Sequence, residues 1–322
     1  MRTRPMGQTD LKLTTIGLGT WAIGGPWEYG WGPQDDAESV RTILTAVEGG
    51  INWIDTAPIY GCGHSEEVVG QALREMKEKP LVATKCGLLW NDRREKYGCL
   101  DAASILRECD DSLRRLGVET IDLYQMHWPD PDEQIEEAWE AMAQCVKQGK
   151  VRYLGASNVT VDHLERLAKV HPVAAIQPPY SLLRRDIEND LLGYCKEHGI
   201  GVVCYSPMQK GLLTGKFTKD YLNALAPDDH RRHDPNFQGE TFERNLKTVE
   251  ALRAIADRHG KTVAQLAIAW VLRREEVTSA IVGARRPRQI QETLAAGDWM
   301  LDEETICEVE KVIKKYNKTI RL

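Results

Sequence analysis

Four polar side chains lie at or just after the ends of three short apolar segments. They could act together in proton transfer. Asp55 lies near the end of the segment INWIDTA, and Tyr60 follows it in a glycine-rich turn. Lys85 lies in the next apolar segment, PLVATKC, and His127 in a later one, IDLYQMHW. Each residue alone is a weak signal, because a strand-end Asp is often a turn residue and a lone His is often a satisfied core group. On three successive strands of one sheet, however, they are expected to converge on one cleft.

The chemistry of these four residue types is complementary. Tyrosine has an ordinary pKa of about 10, too high for efficient proton donation at neutral pH, and a nearby ammonium lowers that pKa. A carboxylate beside the lysine keeps it charged, and a histidine can orient a carbonyl group or assist proton transfer. Such a site gives a proton to a carbonyl oxygen while a hydride reaches the carbon. No side chain can supply a hydride, so the pattern requires a nicotinamide.

The segments that carry these residues belong to a regular alternation of strands and helices. Eight short, nearly continuous apolar segments predict strands buried on both faces; they are residues 15–21, 51–57, 80–86, 121–128, 151–158, 174–180, 201–207 and 279–284. Amphipathic helical segments lie between them, at 36–47, 66–76, 103–116, 135–146, 161–170, 187–198, 242–259, 263–274 and 303–315. Eight such units predict an α/β fold, a (β/α)8 barrel with an N-terminal β-hairpin at its bottom and extra C-terminal helices, as a single domain over residues 1–322. In this architecture the active site forms at the carboxyl ends of the strands.

Composition excludes several other classes of protein. Hydrophobic residues make up 42% of the chain and charged residues 28%, and the net charge of −6 gives no reason to expect nucleic-acid binding. Without an apolar run long enough for a membrane span or an apolar signal-peptide core, we expect no membrane association and a cytoplasmic location. The eight cysteines form no C-x-x-C pair, which removes the usual zinc pattern. His64 is interpreted as a helix-start residue, and His230 and His233 have no further ligand nearby. No metal site is therefore expected. The sequence leaves the oligomeric state open, a homo-oligomer included.

The ordered motifs resemble the aldo-keto reductase family over nearly the full chain. GGINWIDTAPIYGCGHSEEVVG is similar to the family's first signature, VATKCG to its lysine motif and LYQMHWPDP to its histidine motif. GLGTWAIGG, IQPPYSLL and GLLTGK are most similar to bacterial reductases of the general-stress and inositol-utilisation type. The resemblance implies NADPH-dependent reduction of aldehydes or ketones, with Tyr60 as general acid, tuned by Lys85 and Asp55, and His127 orienting the carbonyl. Two alternatives stay open: an NAD(P)+-dependent sugar or inositol dehydrogenase using the same groups, and a binding protein like the potassium-channel β subunits, against which the intact tetrad argues.

The cofactor site cannot be of the Rossmann type. Gly17 to Ala22 fits the pattern G-x-G-x-x-G/A, but no helix is predicted directly behind it. The resemblance instead implies NADP(H) across the barrel mouth, with NADH as a weaker cofactor. It assigns to the nicotinamide end Gly19, Thr20, Trp21 and Asp55, with Ser157, Asn158 and Gln177 at the carboxamide and Tyr205 stacked on the ring. It assigns to the pyrophosphate Ser206, Pro207, Met208, Gln209, Lys210, Gly211, Leu212, Lys216 and Arg231.

Three arginines, at positions 285, 286 and 288, begin a helix after the eighth strand. A charge run of this kind is more often a solvated surface. Its position changes that interpretation, because the loops after strands seven and eight of such barrels commonly hold phosphate and a helix N-terminus favours an anion. Arg285 is therefore expected to bind the 2′-phosphate of NADPH. By resemblance the adenosine site continues through Gly283, Gln289, Glu292 and Thr293, the last at a position where the family usually has Asn.

Five tryptophans fall in loops at the expected barrel mouth: Trp21, Trp27, Trp31, Trp90 and Trp128. Aromatic walls suit apolar carbonyl compounds or stacking on sugars. Trp27 and Trp31 are interpreted as packing the loops. The substrate pocket is expected to be formed by Trp21, Tyr60, Trp90, His127 and Trp128.

Overall fold

In a computed structural model of the protein, which describes residues 1–317, eight parallel strands close into a barrel. The strands of the described residues are β1 (Thr3–Pro5), β2 (Lys12–Thr14), β3 (Ile16–Gly19), β4 (Trp53–Asp55), β5 (Leu81–Cys86), β6 (Leu88–Trp90), β7 (Lys96–Gly98), β8 (Ile121–Met126), β9 (Val151–Ser157), β10 (Ala175–Gln177), β11 (Gly201–Cys204) and β12 (Ser279–Gly283). The barrel runs in the order β3, β4, β5, β8, β9, β10, β11, β12 and closes by pairing β12 with β3. Each of the eight predicted strand segments contains one barrel strand, so the predicted (β/α)8 fold is confirmed.

The helices pack around the outside of the barrel. They are α1 (Asp36–Glu48), α2 (His64–Glu75), α3 (Ala102–Leu116), α4 (Ile135–Lys147), α5 (Val161–Ala168), α6 (Leu191–His198), α7 (Lys219–Asn223), α8 (Gly239–Arg258), α9 (Val263–Leu272), α10 (Pro287–Leu294) and α11 (Glu303–Tyr316). Side chains that precede a helix fix where it starts: Asp35, Asp101 and Thr262 each accept a hydrogen bond from a backbone N–H of the first turn. The sixth helix starts later than predicted, because residues 186–188 form a separate 3-10 turn.

The N-terminal hairpin β1–β2 closes the amino-terminal end of the barrel, as predicted. Met6, Leu11 and Leu13 are buried there in one cluster with Trp53 and Leu123 from barrel strands. The hairpin turn can approach the barrel closely because it contains Gly7. A Cβ added at this position would lie 2.5 Å from the backbone oxygen of Gly199. The packed hairpin leaves the opposite end, at the carboxyl ends of the strands, as the open mouth.

Two insertions build up the walls of that mouth. The first is the short antiparallel hairpin β6–β7, which directly follows β5 and was not predicted. The second lies between β11 and β12, where α7 and 3-10 turns at 209–214, 230–233 and 235–237 precede α8. Within residues 1–317, no helix combines the length and apolar character that a membrane crossing requires.

Candidate active site

The four residues predicted to do chemistry come together at the carboxyl ends of neighbouring strands. Asp55 is the last residue of β4, Lys85 lies one residue before the end of β5, and His127 directly follows β8. Tyr60 lies in the turns between β4 and α2, where its N–H donates to the carbonyl oxygen of Ala57 at 3.1 Å. The parallel register of the barrel therefore carries side chains that are distant in sequence into one cluster.

Lys85 is the centre of this cluster and is fully buried. Its Nζ donates to Asp55 Oδ2 at 2.7 Å, to the carbonyl oxygen of Thr56 at 2.8 Å and to the Tyr60 hydroxyl at 3.3 Å. Burial lowers the pKa of Lys85, and the charge of Asp55 acts in the opposite direction. The carboxylate thus opposes the loss of the Lys85 proton that burial favours, which is the effect that its predicted role requires.

The predicted lowering of the pKa of Tyr60 is wrong for the protein without ligand. Burial raises the pKa of the Tyr60 hydroxyl well above its ordinary value, and the negative charge of Asp55 raises it further. The ammonium of Lys85 lies 3.3 Å from the hydroxyl and is paired with Asp55 at 2.7 Å, and burial and the Asp55 charge outweigh it in the protein without ligand. Tyr60 is therefore a protonated phenol at neutral pH.

His127, directly after β8, lies beside the Tyr60 ring. Its ring is perpendicular to the Tyr60 ring, with 5.8 Å between the centroids. Burial, and then the nearby charges of Lys85 and Lys96, hold the pKa of His127 well below its ordinary value. A neutral imidazole can donate one hydrogen bond to a carbonyl oxygen without adding a charge to the site.

A fifth polar residue belongs to the cluster and was not identified from the sequence. Gln125, one residue before the end of β8, donates from Nε2 to Asp55 Oδ1 at 3.2 Å, and Gln177 donates to the same oxygen at 2.7 Å. Gln125 is fully buried. The signal that could have found it is a polar amide inside an otherwise apolar strand, since such a group must find partners within the protein.

A cavity of about 1100 Å³ opens above this cluster at the barrel mouth. It extends from Tyr60 and His127 to Arg285 and Arg286. Most of the predicted cofactor residues line it: Gly19, Trp21, Asp55, Ser157, Asn158, Gln177, Tyr205, Ser206, Pro207, Met208, Gln209, Lys210, Gly211, Lys216, Arg231, Gly283, Arg285, Gln289, Glu292 and Thr293. Of the predicted substrate residues Trp21, Tyr60, His127 and Trp128 line it as well.

Three of the predicted cofactor and substrate residues do not line this cavity. Thr20 is fully buried, and its hydroxyl donates to the carbonyl oxygen of Asp55 at 3.0 Å, so it links two strands. Leu212 is buried in an aromatic cluster behind the loop. Trp90, on β6, packs against a small apolar cluster that includes Ile59. The sequence placed each residue in the right loop, but the direction of the side chain depends on what packs behind that loop.

Two tryptophans interpreted as loop packing, Trp27 and Trp31, line the cavity as well as packing its wall. Trp31 contacts Trp21 edge to face, with centroids 5.5 Å apart, and the Arg231 guanidinium lies 4.3 Å from its ring. The indole nitrogens of Trp27 and Trp31 are buried and make no hydrogen bond within residues 1–317. Both tryptophans therefore pack the loops as predicted, and each also lines the cavity. Other lining residues that were not predicted include Tyr29, Gln34, Glu38, Lys96, Arg184, Asp234, Asn236 and Arg286.

The end of the cavity next to Tyr60 is lined by ordered amides. Asn158 Nδ2 donates to the carbonyl oxygen of His127 at 3.0 Å and to Ser157 Oγ at 2.9 Å. Its Oδ1 accepts from the Tyr205 hydroxyl at 2.8 Å, which fixes the Tyr205 ring against the cavity. Gln177 lines the cavity beside them. An aromatic face next to oriented amide groups fits a planar ring that carries a carboxamide.

The loop after β11 has the backbone of an anion site. Ser206, Gln209, Lys210 and Gly211 all have φ between 46° and 92°, a left-handed conformation that is unusual for non-glycine residues. Such residues cluster at functional sites, and runs of left-handed backbone can turn successive N–H groups towards an anion. Lys210 pairs with Asp234 at 2.7 Å in this loop.

At the far end of the cavity, lysine and arginine side chains from separate elements lie near the start of α10. Lys216 pairs with Glu292 at 2.8 Å, and Arg286 lies 3.6 Å from Glu38. Arg285 is tied to the loop after β3: its guanidinium donates to Gln34 Oε1 at 2.7 Å and to two backbone carbonyl oxygens of that loop. Arg231 is held by Asp229 through two hydrogen bonds. The residues present thus fit a dinucleotide: Tyr205 and the amides beside it would hold the ring, and the cations between β11 and α10 would hold the phosphates.

The remaining sequence interpretations concern possible metal ligands. His64 begins α2, as expected for a helix-start residue, and its Nε2 is hydrogen-bonded to Asp36 Oδ1 at 2.9 Å. His230 donates from Nδ1 to the carbonyl oxygen of Gly30 and packs on Trp21, with 4.8 Å between the ring centroids. Among residues 1–317, no three His, Cys, Asp or Glu side chains are grouped so that they could hold a metal ion.

Known proteins are similar to this chain over nearly its full length. Residues 15–314 match the model of the Aldo/keto reductase family. The chain is 39% identical to the aldo-keto reductase YhdN of Bacillus subtilis, across 96% of this chain and 92% of that protein. It is 38% identical to an NADH-specific methylglyoxal reductase of Escherichia coli, across 92% and 93% of the two chains. The glycerol dehydrogenase AKR11B4 from Gluconobacter oxydans has a similar structure, with a TM-score of 0.89, 41% identity, and coverage of 98% and 96%.

Proposed function

This chain belongs to the aldo/keto reductase family and is an oxidoreductase acting on carbonyl or alcohol groups, and we propose that it reduces aldehydes and ketones with NADPH, using Tyr60 as the general acid. One observation carries the proposal. Lys85 Nζ lies between Asp55 Oδ2 and the Tyr60 hydroxyl, at 2.7 and 3.3 Å, beside the cavity that fits a dinucleotide. This arrangement supplies a proton donor and a fixed positive charge at the same point.

The bound reduced nicotinamide supplies the hydride that reaches the carbonyl carbon. The protein's own residues do the rest. His127 donates a hydrogen bond to the carbonyl oxygen and orients it. Tyr60 gives its hydroxyl proton to that oxygen, and the phenolate that forms is stabilised by the Lys85 ammonium. Asp55 keeps that ammonium charged, and solvent protons later restore the phenol.

The free protein holds Tyr60 in the protonated form with which carbonyl reduction starts, and the raised pKa makes it a weak acid until Lys85 stabilises the phenolate. Reduction needs the phenol as an acid, and burial together with Asp55 keeps Tyr60 in that form. Oxidation needs the phenolate as a base, which the same environment disfavours. We therefore place reduction first, although the same groups can work in either direction.

The proposed cofactor is NADPH, with NADH weaker. The support is the set of cations at the far end of the cavity, where Arg285 and Arg286 stand at the start of α10. A phosphate there gains both charge and the helix dipole. One relative is an NADH-specific methylglyoxal reductase. Dissociation constants of NADPH and NADH therefore test the proposed preference of this chain for NADPH.

A polyol dehydrogenase is the second candidate. It is favoured by the structural similarity to a glycerol dehydrogenase and by the polar groups among the tryptophans of the cavity. A site of this kind would take a small hydroxyl-bearing substrate against the aromatic wall formed by Trp21, Trp31 and Trp128. Initial rates in both directions, with small aldehydes, ketoaldehydes, sugars and polyols and with all four nicotinamide dinucleotides, separate the two candidates.

The test of the proposed mechanism is Tyr60→Phe, which removes one oxygen and leaves the ring. We expect normal folding, retained cofactor binding and a loss of about 10³-fold or more in aldehyde reduction. Tyr97→Phe, the same substitution at an exposed tyrosine that does not line the cavity, serves as the control and should keep wild-type turnover with small aldehydes. Activity of Tyr60→Phe near the wild-type level would refute the assignment of the acid.

A further inference from the structure

Gln125 is close to the catalytic cluster but does not touch the cavity. It lies one residue before the end of β8, in register with Lys85 on β5 and with Gly155 on β9, and it is fully buried. A buried amide costs free energy unless its polar atoms are paired inside the protein. The partners of Gln125 therefore indicate its role.

These partners fix the orientation of two side-chain amides. The carboxylate of Asp55 can only accept hydrogen bonds, so both Gln125 and Gln177 must turn Nε2 towards it, at 3.2 and 2.7 Å. Gln177 Nε2 also donates to Gln125 Oε1 at 3.1 Å. Both hydrogens of the Gln177 amide are thereby used inside the barrel. The atom of that amide left for a ligand is Oε1, which accepts no hydrogen bond within residues 1–317.

We propose that Gln125 is a positioning residue: it holds the Gln177 amide with Oε1 available to the cavity, where that oxygen accepts a hydrogen bond from the carboxamide NH₂ of the nicotinamide. The inference rests on the proposed function, since it presumes a nicotinamide at this end of the cavity. Without Gln125 Oε1, one hydrogen of Gln177 Nε2 has no partner in the barrel interior. The amide is then free to rotate and present a donor to the cavity instead.

The neighbouring strand leaves room for this arrangement. A Cβ added at Gly155 would lie 3.0 Å from Gln125 Cγ, and 3.1 Å from both Leu123 Cδ1 and the carbonyl oxygen of Ala175. Contacts this short push on the side chain of Gln125. Glycine at position 155 thus leaves the space in which Gln125 reaches both Asp55 and Gln177.

The experiment compares two ligands that differ at the carboxamide. Dissociation constants are measured by quenching of tryptophan fluorescence for NADP+ and its 3-acetylpyridine analogue, in which a methyl group replaces the NH₂, with NAD+ and its analogue in parallel. Wild-type protein is expected to bind the parent dinucleotide roughly 3- to 10-fold more tightly than the analogue, the worth of one hydrogen bond. Gln125→Met, which matches the length of the side chain, should bring that ratio close to one, as should Gln177→Met. Ser279→Ala, which removes a buried hydroxyl bonded to Trp53 in the barrel interior, should leave the ratio unchanged.

The outcomes separate positioning from general damage to the barrel. If Gln125→Met weakens parent and analogue equally, or keeps the wild-type ratio, the positioning role is refuted. Gly155→Ala displaces Gln125 without changing its amide, should lower the ratio in the same direction, and decides the question if Gln125→Met does not fold. Failure of the wild-type protein to bind any of the four dinucleotides would instead remove the proposed function and this inference with it. Binding with normal discrimination but no turnover would leave the inference standing and refute only the proposed reaction.

Discussion

Arg285 donates a hydrogen bond from its guanidinium to Gln34 Oε1 at 2.7 Å, although 251 residues separate them in the chain. The contact joins the start of the helix after the last barrel strand to the loop after the first one. Pro33, Gln34 and Asp35 of that loop line the cavity beside Arg285. The residue expected to bind the 2′-phosphate therefore also holds one wall of the cofactor site in place.

Arg285→Ala should weaken NADPH binding roughly 10- to 100-fold, the worth of a charge-assisted hydrogen bond, and NADH binding only a few-fold through the loosened wall. Dissociation constants of both reduced cofactors, from fluorescence titration, provide the measurement. Gln34→Ala is the matched control, because it releases the wall and keeps the cation; it should weaken both cofactors by the same small factor. Equal losses for NADPH and NADH in Arg285→Ala would show that Arg285 acts on the wall alone.

Lys85→Met should lower kcat for aldehyde reduction by about 10²- to 10³-fold, because the phenolate of Tyr60 then forms without a neighbouring positive charge. Lys85 does not line the cavity, so the dissociation constant of the cofactor should change by less than about threefold. Steady-state kinetics and cofactor titration measure the two effects separately. Lys150→Met, which removes a lysine paired with Asp110 at the surface, should retain wild-type kcat. Nearly normal turnover in Lys85→Met would mean that the buried ammonium is only structural.

The pH dependence should differ between the two directions of the reaction. The pKa of Tyr60 lies well above its ordinary value and that of His127 well below, so neither group changes its charge between about pH 6 and 9 in the free protein. The rate of carbonyl reduction should be nearly flat over that range. The rate of alcohol oxidation should rise, because it needs the phenolate. The observation that would count against Tyr60 as the acid is a reduction rate that falls steeply between about pH 6 and 8.

Glu108, on α3, should make stability depend on pH. It is buried, accepts from the Gly87 N–H at 2.9 Å, and burial raises its pKa from 4.5 to about 7. The unfolded chain ionises this group at lower pH than the folded chain, so stability is lost as pH rises from about 4.5 to about 7. Glu108→Gln should therefore be more stable than wild type at pH 8, by up to about 3 kcal/mol, with little difference near pH 4. Urea denaturation at the two pH values measures this.

Glu197→Gln, an exposed change on α6, is the control for that experiment and should show no pH-dependent difference. A Glu108→Gln protein whose stability tracks wild type at both pH values would show that Glu108 ionises normally in the folded chain.

Much of the site could be predicted from the sequence because its signals are local. Apolar runs separated by helical periods indicate eight strand–helix units whatever their distant partners are, and eight units favour a closed barrel. Asp55, Lys85 and His127 then fall at strand ends, which in a parallel barrel meet at one mouth. The arginines at 285 and 286 likewise follow the last strand and reach the far end of the cavity.

Tertiary structure alone decided the features that depend on partners far apart in the chain. Asp55 receives hydrogen bonds from Gln125 and Gln177, 70 and 122 residues away, and only the register of the closed barrel brings those three together. The rise in the pKa of Tyr60 has the same origin, since it reflects burial and the charge of Asp55 more than the nearby Lys85. Trp90 packs away from the cavity that Trp31 lines, because the direction of a loop side chain follows what packs behind the loop. A sequence pattern records which residues an element carries, whereas desolvation, hydrogen-bond partners and side-chain direction are set by neighbours that the pattern does not contain.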